Sequence, residues 1–333
     1  MIHPASMITA VAAYAPSRVI TNAEMECRVN KKEELLCAGS IERLFGVKER
    51  RFAEPGEQVS DLAVAAANKV LERTDRESID CLLFASACSD LIEPATANII
   101  QAKLGLTCFA FDIKNACNSF VTAYHIANSF IASNQYKKIL IVTGEKLSDS
   151  IKFDLADKNE LGNRLAAFSL GDAGAAAIVE PSAEGRGMVS QRYLTYGKFW
   201  NLCTIPGGGS MFPHDASKNY FEGKTTEMRY VFLENKGRIA QECLEEAGWK
   251  LDDIDYFFMH HVSKNTFEVV AAALQISPER FYNVMETHGN MASASIPFAM
   301  SHAAEHNKLK KGNKIMIIGL ASGISMSVQL LIW

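Results

Sequence analysis

A chain of 333 residues, 48% apolar and 22% charged, has the make-up of a soluble globular protein, long enough for one large α/β domain or two of about 150 residues; extensive disorder is excluded. Its 38 acidic and 34 basic residues are interspersed and leave a net charge of -4, which argues against nucleic acid or an anionic membrane as partner. No stretch approaches the ~20 apolar residues of a membrane helix, and the start MIHPASMITA lacks a secretory pattern, so a cytoplasmic protein is expected.

In chain order, apolar runs and amphipathic segments alternate. The periodicity predicts a helix over 61–71, strands over 81–87 and 109–113, a helix over 120–131, and strands over 139–144 and 175–179. Two glycine-rich connections follow, Gly185–Gly187 and Pro206–Pro213. The remainder predicts helices over 232–247, 266–274 and 296–306, and strands over 256–259, 315–319 and 325–332. Such alternation implies a layered α/β fold with buried sheets.

A weak repeat runs through this order. Cys117 precedes a helix, a strand, the turn Gly171–Gly174 and a last strand; Asn290 precedes the same series, closed by the turn Ala321–Gly323. Two copies of one unit would set Cys117 and Asn290 at matching helix starts. The chain carries neither a phosphate-binding loop nor a G-x-G-x-x-G turn, so nucleotide-driven chemistry is not indicated.

The eight cysteines show no spacing suited to zinc or a disulfide framework, so most are expected to be buried thiols and no metal is expected. Cys117 differs, because it lies between a buried strand and a helix start. There the positive end of the helix dipole and free N–H groups are expected to lower the thiol pKa and prepare a nucleophile. His260 and His261 end a strand, and since side chains alternate only one of them faces a given site. Taken alone, a strand-end histidine is more often a structural group than a catalyst, and Asn290 reads as a helix cap.

Together these segments resemble the thiolase superfamily, in its β-ketoacyl-ACP synthase III branch. Gly46-Val-Lys-Glu-Arg-Arg51 is similar to that family's G-I-R-E-R-R and Gly171-Asp-Ala-Gly-Ala-Ala176 to its G-D-G-A-G-A. Ala116-Cys-Asn-Ser-Phe120 resembles its A-C-A-G-F, and Gly289-Asn-Met-Ala-Ser-Ala-Ser-Ile-Pro297 its G-N-T-S-A-A-S-I-P. The histidine-to-asparagine spacing selects His260. The resemblance implies a five-layered αβαβα fold built from two like halves, residues 1–181 and 182–333, in a homodimer that pairs central strands. It also implies a Cys117, His260 and Asn290 triad, with the backbone N–H groups of Cys117 and Ser322 as an oxyanion hole. The activity implied is acyl transfer from a CoA or acyl carrier protein thioester to Cys117, then condensation with a malonyl-type thioester. No resident cofactor is implied.

Several positions depart from the family pattern. H-Q-A-N is here His260-His-Val-Ser263 and G-G-G is Ala321-Ser-Gly323. Ser40 stands where the family often has a tryptophan stacking on the CoA adenine, and Leu44 is close to where an arginine is expected, which favours a carrier-protein donor. Glu93 replaces the apolar residue that crosses the family's dimer interface. With His260-x-Val-Ser263 and the Pro206-Gly-Gly-Gly209 loop, it resembles the head-to-head condensing enzymes of olefin biosynthesis. That alternative makes Glu93 of a partner subunit the base in a non-decarboxylative condensation, since removing a proton beside a thioester needs one. Transfer of the acyl group to another acceptor is a further alternative, and a silent acyl-binding scaffold is disfavoured by the intact Cys, His and Asn set.

Overall fold

The computed structural model describes residues 5–30, 32–72, 74–224, 227–228, 231 and 237–333. The first half runs through β1 (Ser6–Tyr14), α1 (Val59–Leu71), β2 (Cys81–Ala85), α2 (Thr96–Leu104), β3 (Phe109–Ile113), α3 (Ser119–Ala132), β4 (Ile139–Glu145) and β5 (Ala173–Pro181). The second runs through β6 (Gly187–Thr195), α4 (Arg238–Ala247), β7 (Tyr256–Met259), α5 (Lys264–Leu274), α6 (Ser295–Glu305), β8 (Lys314–Ala321) and β9 (Ser325–Ile332).

The suspected repeat is visible in the topology. The first sheet has the order β1-β5-β4-β2-β3 and the second β6-β9-β8-β7. Their senses match pair by pair: β1–β5 and β5–β4 are antiparallel and β4–β2 parallel, as are β6–β9, β9–β8 and β8–β7. The first sheet adds β3, parallel to β2, and the second keeps only a single parallel bridge between Phe257 and Phe281 at that place.

Alternation of side chains puts every central strand between two helical layers. In β4, Ile139 and Ile141 face one core and Leu140 and Val142 another. In β8, Ile315 and Ile317 join the same middle core as Ile139, while Met316 and Ile318 turn outward. The middle core holds Phe120 and Tyr124 of α3 and Ile296 and Met300 of α6. Outside it lie α1 and α2 against the first sheet, and α4 and α5 against the second. The result is five layers, αβαβα, with α3 and α6 back to back at the centre. Close approach is built in: a Cβ on Gly144 or Gly174 would overlap the backbone of α1 at Val59 or Leu62.

The predicted elements recur with their ends moved by one or two residues, apart from the helix expected from Phe232; it is seen from Arg238, and residues 232–236 lie outside the described ones. Of the elements named above, β1, β6 and α2 were not anticipated. In β1 the run Ser6-Met-Ile-Thr-Ala-Val-Ala-Ala-Tyr14 is alanine-rich and weak in strand propensity, and its pairing with β5 makes it a strand. The cysteine expectation also needs correction. Cys27 and Cys37 are exposed, Cys88, Cys108 and Cys117 are half-buried, and only Cys81, Cys203 and Cys243 are buried.

Candidate active site

Cys117 occupies the bend between β3 and α3. Ala116 before it is held at φ +47°, a left-handed conformation that is uncommon for a residue with a Cβ. The buried Ser119 hydroxyl clamps the bend by accepting from the Asn115 N–H (2.8 Å) and donating to the Ala116 carbonyl (2.7 Å). Beside it, the Asn118 amide donates to the carbonyl of Ser325 in the second half (2.9 Å).

Asn290 sits at the equivalent bend of the second half. Its N–H donates to the Ser169 carbonyl (2.8 Å) and its carbonyl accepts from the Gly171 N–H (3.0 Å). Its side-chain Oδ1 accepts from the Ala292 N–H (2.9 Å), and Ala292 is itself left-handed at φ +42°. With Oδ1 committed to the backbone, the amide nitrogen is the end left for a ligand.

His260 directly follows β7, fixed by its N–H to the Ile318 carbonyl (3.2 Å) and only 2% exposed. Its Nδ1 is buried without a hydrogen-bond partner, the ring interacts with the Ala292 backbone, and the residue lines the cavity. His261 points the other way, fully buried beside Phe267, and does not border that cavity. The strand alternation therefore separates the two histidines as expected. The turn between β8 and β9 supplies Ser322, followed by Gly323 at φ +74° and Ile324 at φ +51°. A Cβ-branched residue in that region is a true outlier, and such strain concentrates at functional sites. Ala116, Ala292 and Ile324 each lie within two residues of Cys117, Asn290 and Ser322 respectively.

These groups meet in one cavity of about 590 Å3, within the range of small-molecule sites. Cys117, His260, Asn290 and Ser322 line it, and most of the wall is apolar, with Leu147 and Leu170 from the first half and Val269 and Met326 from the second. Glu93 does not border it. That residue is exposed, before a cis Pro94, on the loop leading to α2. Ser40 is buried and accepts from the Arg43 guanidinium (3.0 Å), and Leu44 is exposed at the cavity rim.

The electrostatics correct one expectation. Burial pushes the Cys117 thiol well above its ordinary range, helped by the nearby Cys203 and Glu145; hydrogen bonds from its own N–H and from Ser322 N–H offset this only in part. Enclosure outweighs the helix start, so the resting group is a thiol. Burial likewise depresses the His260 imidazole to about 4, leaving a neutral ring at pH 7 that still has one N–H to give. Two neighbours went unnoticed in the sequence. Glu145, fully buried and raised by desolvation, accepts from the Ala87 N–H (2.9 Å) and the Ser293 hydroxyl (2.5 Å). Cys203 forms part of the cavity wall and accepts from the Ser322 hydroxyl. Neither belongs to a motif that spacing alone reveals. Among the described residues no group of three or more His, Cys, Asp or Glu is suited to hold a metal.

Comparison with known proteins bears on the same segments. The family model for 3-oxoacyl-[acyl-carrier-protein] synthase III matches residues 111–197, and the model for its C-terminal region matches residues 244–333. The β-ketoacyl-[acyl-carrier-protein] synthase III of Clostridioides difficile is 30% identical over 98% of both chains, and that of Aliarcobacter butzleri 32% identical over 95% of this chain and 94% of the other. Among solved structures, the 3-oxoacyl-[acyl-carrier-protein] synthase III of Aquifex aeolicus superposes with a TM-score of 0.87 at 27% identity, covering 98% of this chain and 100% of its own. OleA of Xanthomonas campestris, solved with lauric acid and lauroyl-CoA, shares the fold with a TM-score of 0.89 at 24% identity over 99% of each chain.

Proposed function

Given that the chain belongs to the β-ketoacyl-[acyl-carrier-protein] synthase III family, we propose that it is a condensing acyltransferase whose chemistry rests on Cys117, His260 and Asn290. The halves 1–181 and 182–333 each supply part of the site: the first the nucleophile, the second its hydrogen-bond donors. The observation that carries this reading is that side chains from both halves line one largely apolar cavity around the Cys117 sulfur.

In the first step the Cys117 sulfur attacks an acyl thioester of CoA or acyl carrier protein. The carbon–sulfur bond to the phosphopantetheine arm breaks, the acyl group stays on Cys117, and the arm leaves as its thiol with the cysteine's proton. The oxyanion of the tetrahedral intermediate lies between the N–H groups of Cys117 and Ser322; that both N–H groups work to lower the pKa of the resting thiol supports their nearness to this spot. In the second step a malonyl-type thioester loses carbon dioxide. The electron pair released forms an enolate, whose oxygen takes hydrogen bonds from His260 Nε2–H and the Asn290 amide. Its carbon attacks the acyl carbon, the carbon–sulfur bond to Cys117 breaks, the β-ketoacyl thioester departs, and the released thiolate takes a proton from solvent. A neutral His260 suits this role, since a donor near developing negative charge need not titrate.

The acting species is a homodimer in the cytoplasm, on this reading. Its support is β3, an edge strand with Phe109 60% exposed, next to a loop whose Ile92 is 88% exposed. A bare apolar edge of this kind invites a second copy. Among the described residues no helix is long and apolar enough to cross a membrane. The loop of Ile92 also carries Glu93, and its end is tied to β3 where Asp112 accepts from the Thr96 and Ala97 N–H groups (2.9 and 2.8 Å). A dimer through β3 therefore brings Glu93 to the interface, which favours keeping the non-decarboxylative condensation as the second reading.

Intact-protein mass spectrometry after incubation with acyl-CoA and acyl carrier protein donors tests the first step, with an acyl adduct on Cys117 expected. Absence of an adduct across short and long donors would remove the proposal. Carbon dioxide release from a malonyl donor, retained in a Glu93→Gln variant, decides for the decarboxylative route; condensation without release that fails in Glu93→Gln decides for the other.

A further inference from the structure

In the proposed mechanism Ser322 acts through its backbone N–H, while its side chain and Cys203 have no task. The two are in contact on the cavity wall: Ser322 Oγ donates to Cys203 Sγ at 3.1 Å. Cys203 belongs to a different element from the turn it meets, a two-residue strand paired with Glu222–Gly223. It is 8% exposed, and burial pushes its thiol up to about 11, so at neutral pH its sulfur offers lone pairs without a charge.

The turn it touches needs holding. Gly323 and Ile324 are both left-handed, and the turn's backbone is anchored beyond Ser322 by the Tyr196 N–H to the Ile324 carbonyl (3.0 Å). At Ser322 itself, the bond to Cys203 is the side-chain contact that fixes the residue's rotation. Ser322 and Cys117 line the same cavity, where the Ser322 backbone N–H works to lower the thiol's pKa.

We infer that Cys203 is a positioning residue: its sulfur holds the Ser322 hydroxyl and so aims the Ser322 N–H at the oxygen that becomes negative when the acyl carbon is attacked. The inference rests on the proposed role of Cys117 as nucleophile. It differs from simple packing in what it demands of position 203, namely a hydrogen-bond acceptor and not an apolar volume.

Cys203→Val keeps an apolar side chain and removes the acceptor; Cys203→Ser keeps the acceptor and is smaller. Steady-state condensation assays on both, with wild type alongside, separate the two roles. If Cys203 positions the donor, kcat falls about tenfold or more in Cys203→Val with KM for the malonyl donor little changed, because an oxyanion donor acts in the transition state. Cys203→Ser recovers most of that loss. Adding Ser322→Ala to Cys203→Val then costs nothing further, since both remove one interaction. A Cys203→Val enzyme at the wild-type rate, with Cys203→Ser the slower of the two, means packing and overturns the inference. Should Cys203→Val fail to fold, Ser322→Ala alone replaces it, for it deletes the bond and spares the N–H: the same drop in kcat supports the inference and a wild-type rate overturns it. A wild-type protein with neither a Cys117 adduct nor a condensed product overturns the condensing reading and this inference with it, an outcome distinct from an active enzyme indifferent to Cys203→Val.

Discussion

Replacing Asn290 with alanine removes two hydrogen bonds of different kinds, and their consequences separate. The first is the amide N–H directed into the cavity, which on the proposed mechanism meets the enolate oxygen. Loss of one such donor costs about 3–4 kcal/mol of transition-state stabilisation, or roughly 100- to 1000-fold in kcat. The second is the Ala292 N–H to Asn290 Oδ1 bond (2.9 Å), which pins a residue at φ +42°. A buried N–H left without a partner costs ~1–3 kcal/mol of stability, about 2–5 °C in Tm for a chain of this size. Asn290→Asp retains an oxygen for Ala292 and loses the donor. The expected result is that carbon dioxide release from a malonyl donor falls by two to three orders of magnitude in both variants, the alanine protein melts earlier than the aspartate one, and Cys117 still acylates in both. Mass spectrometry of the acylated protein, decarboxylation kinetics and calorimetry read the three quantities. Decarboxylation within about threefold of wild type in Asn290→Ala, or a loss of acylation as large as the loss of decarboxylation, would refute the assignment.

The pH dependence has a definite sign. His260 is neutral down to about 4 in the fold, against an ordinary 6.5, so between these values the unfolded chain takes up a proton that the folded chain refuses. Stability contributed by this group is therefore present above 6.5 and is lost as the pH falls toward 4; His261 and His288, at about 3 and 4, act in the same sense and Asp172, raised to about 6, opposes them. The acidic limb of the condensation pH–rate profile accordingly lies near 4, and a limb near 6.5 counts against a neutral donor. Phe109→Lys places a charge on the exposed β3 edge and is expected to turn a species of twice the 36.6 kDa chain mass into a monomer by analytical ultracentrifugation; an unchanged sedimentation coefficient rejects the β3 interface. Gly319→Ala sets a Cβ into Asn118 Oδ1 and Ser327 Oγ directly behind the nucleophile, so it should cost ~1–3 kcal/mol by denaturant melt and slow Cys117 acylation; wild-type values for both would show that the seam yields.

The architecture was readable where the strands are buried on both faces, because Ile139–Val142 and Ile315–Ile318 then form unbroken apolar runs. It was unreadable where pairing alone makes the strand, as in β1, or where a short helix is set by a distant cap, as in α2, whose first N–H groups are held by Asp112. Cys117, His260 and Asn290 were singled out through the family resemblance and its spacing, and all three line one cavity. Glu145 and Cys203 were missed because each gains its place from partners more than 50 residues away, Ala87 and Ser293 for the one and Ser322 for the other. The direction of the thiol's pKa was misjudged for a similar reason. A helix start is local and visible in sequence, whereas the enclosure that outweighs it is assembled from both halves.

The left-handed alanines and isoleucine beside the reactive groups set a limit on how this scaffold can be improved. A glycine at Ala116 or Ala292 would release conformational tension and look, to any screen for heat tolerance, like a gain, whereas Ile324 is fully buried and a glycine there would lose its packing as well. The same change would let the bends wander, so a lineage drifting toward glycine there trades chemical precision for resilience, and a library meant to keep turnover should leave those three codons alone.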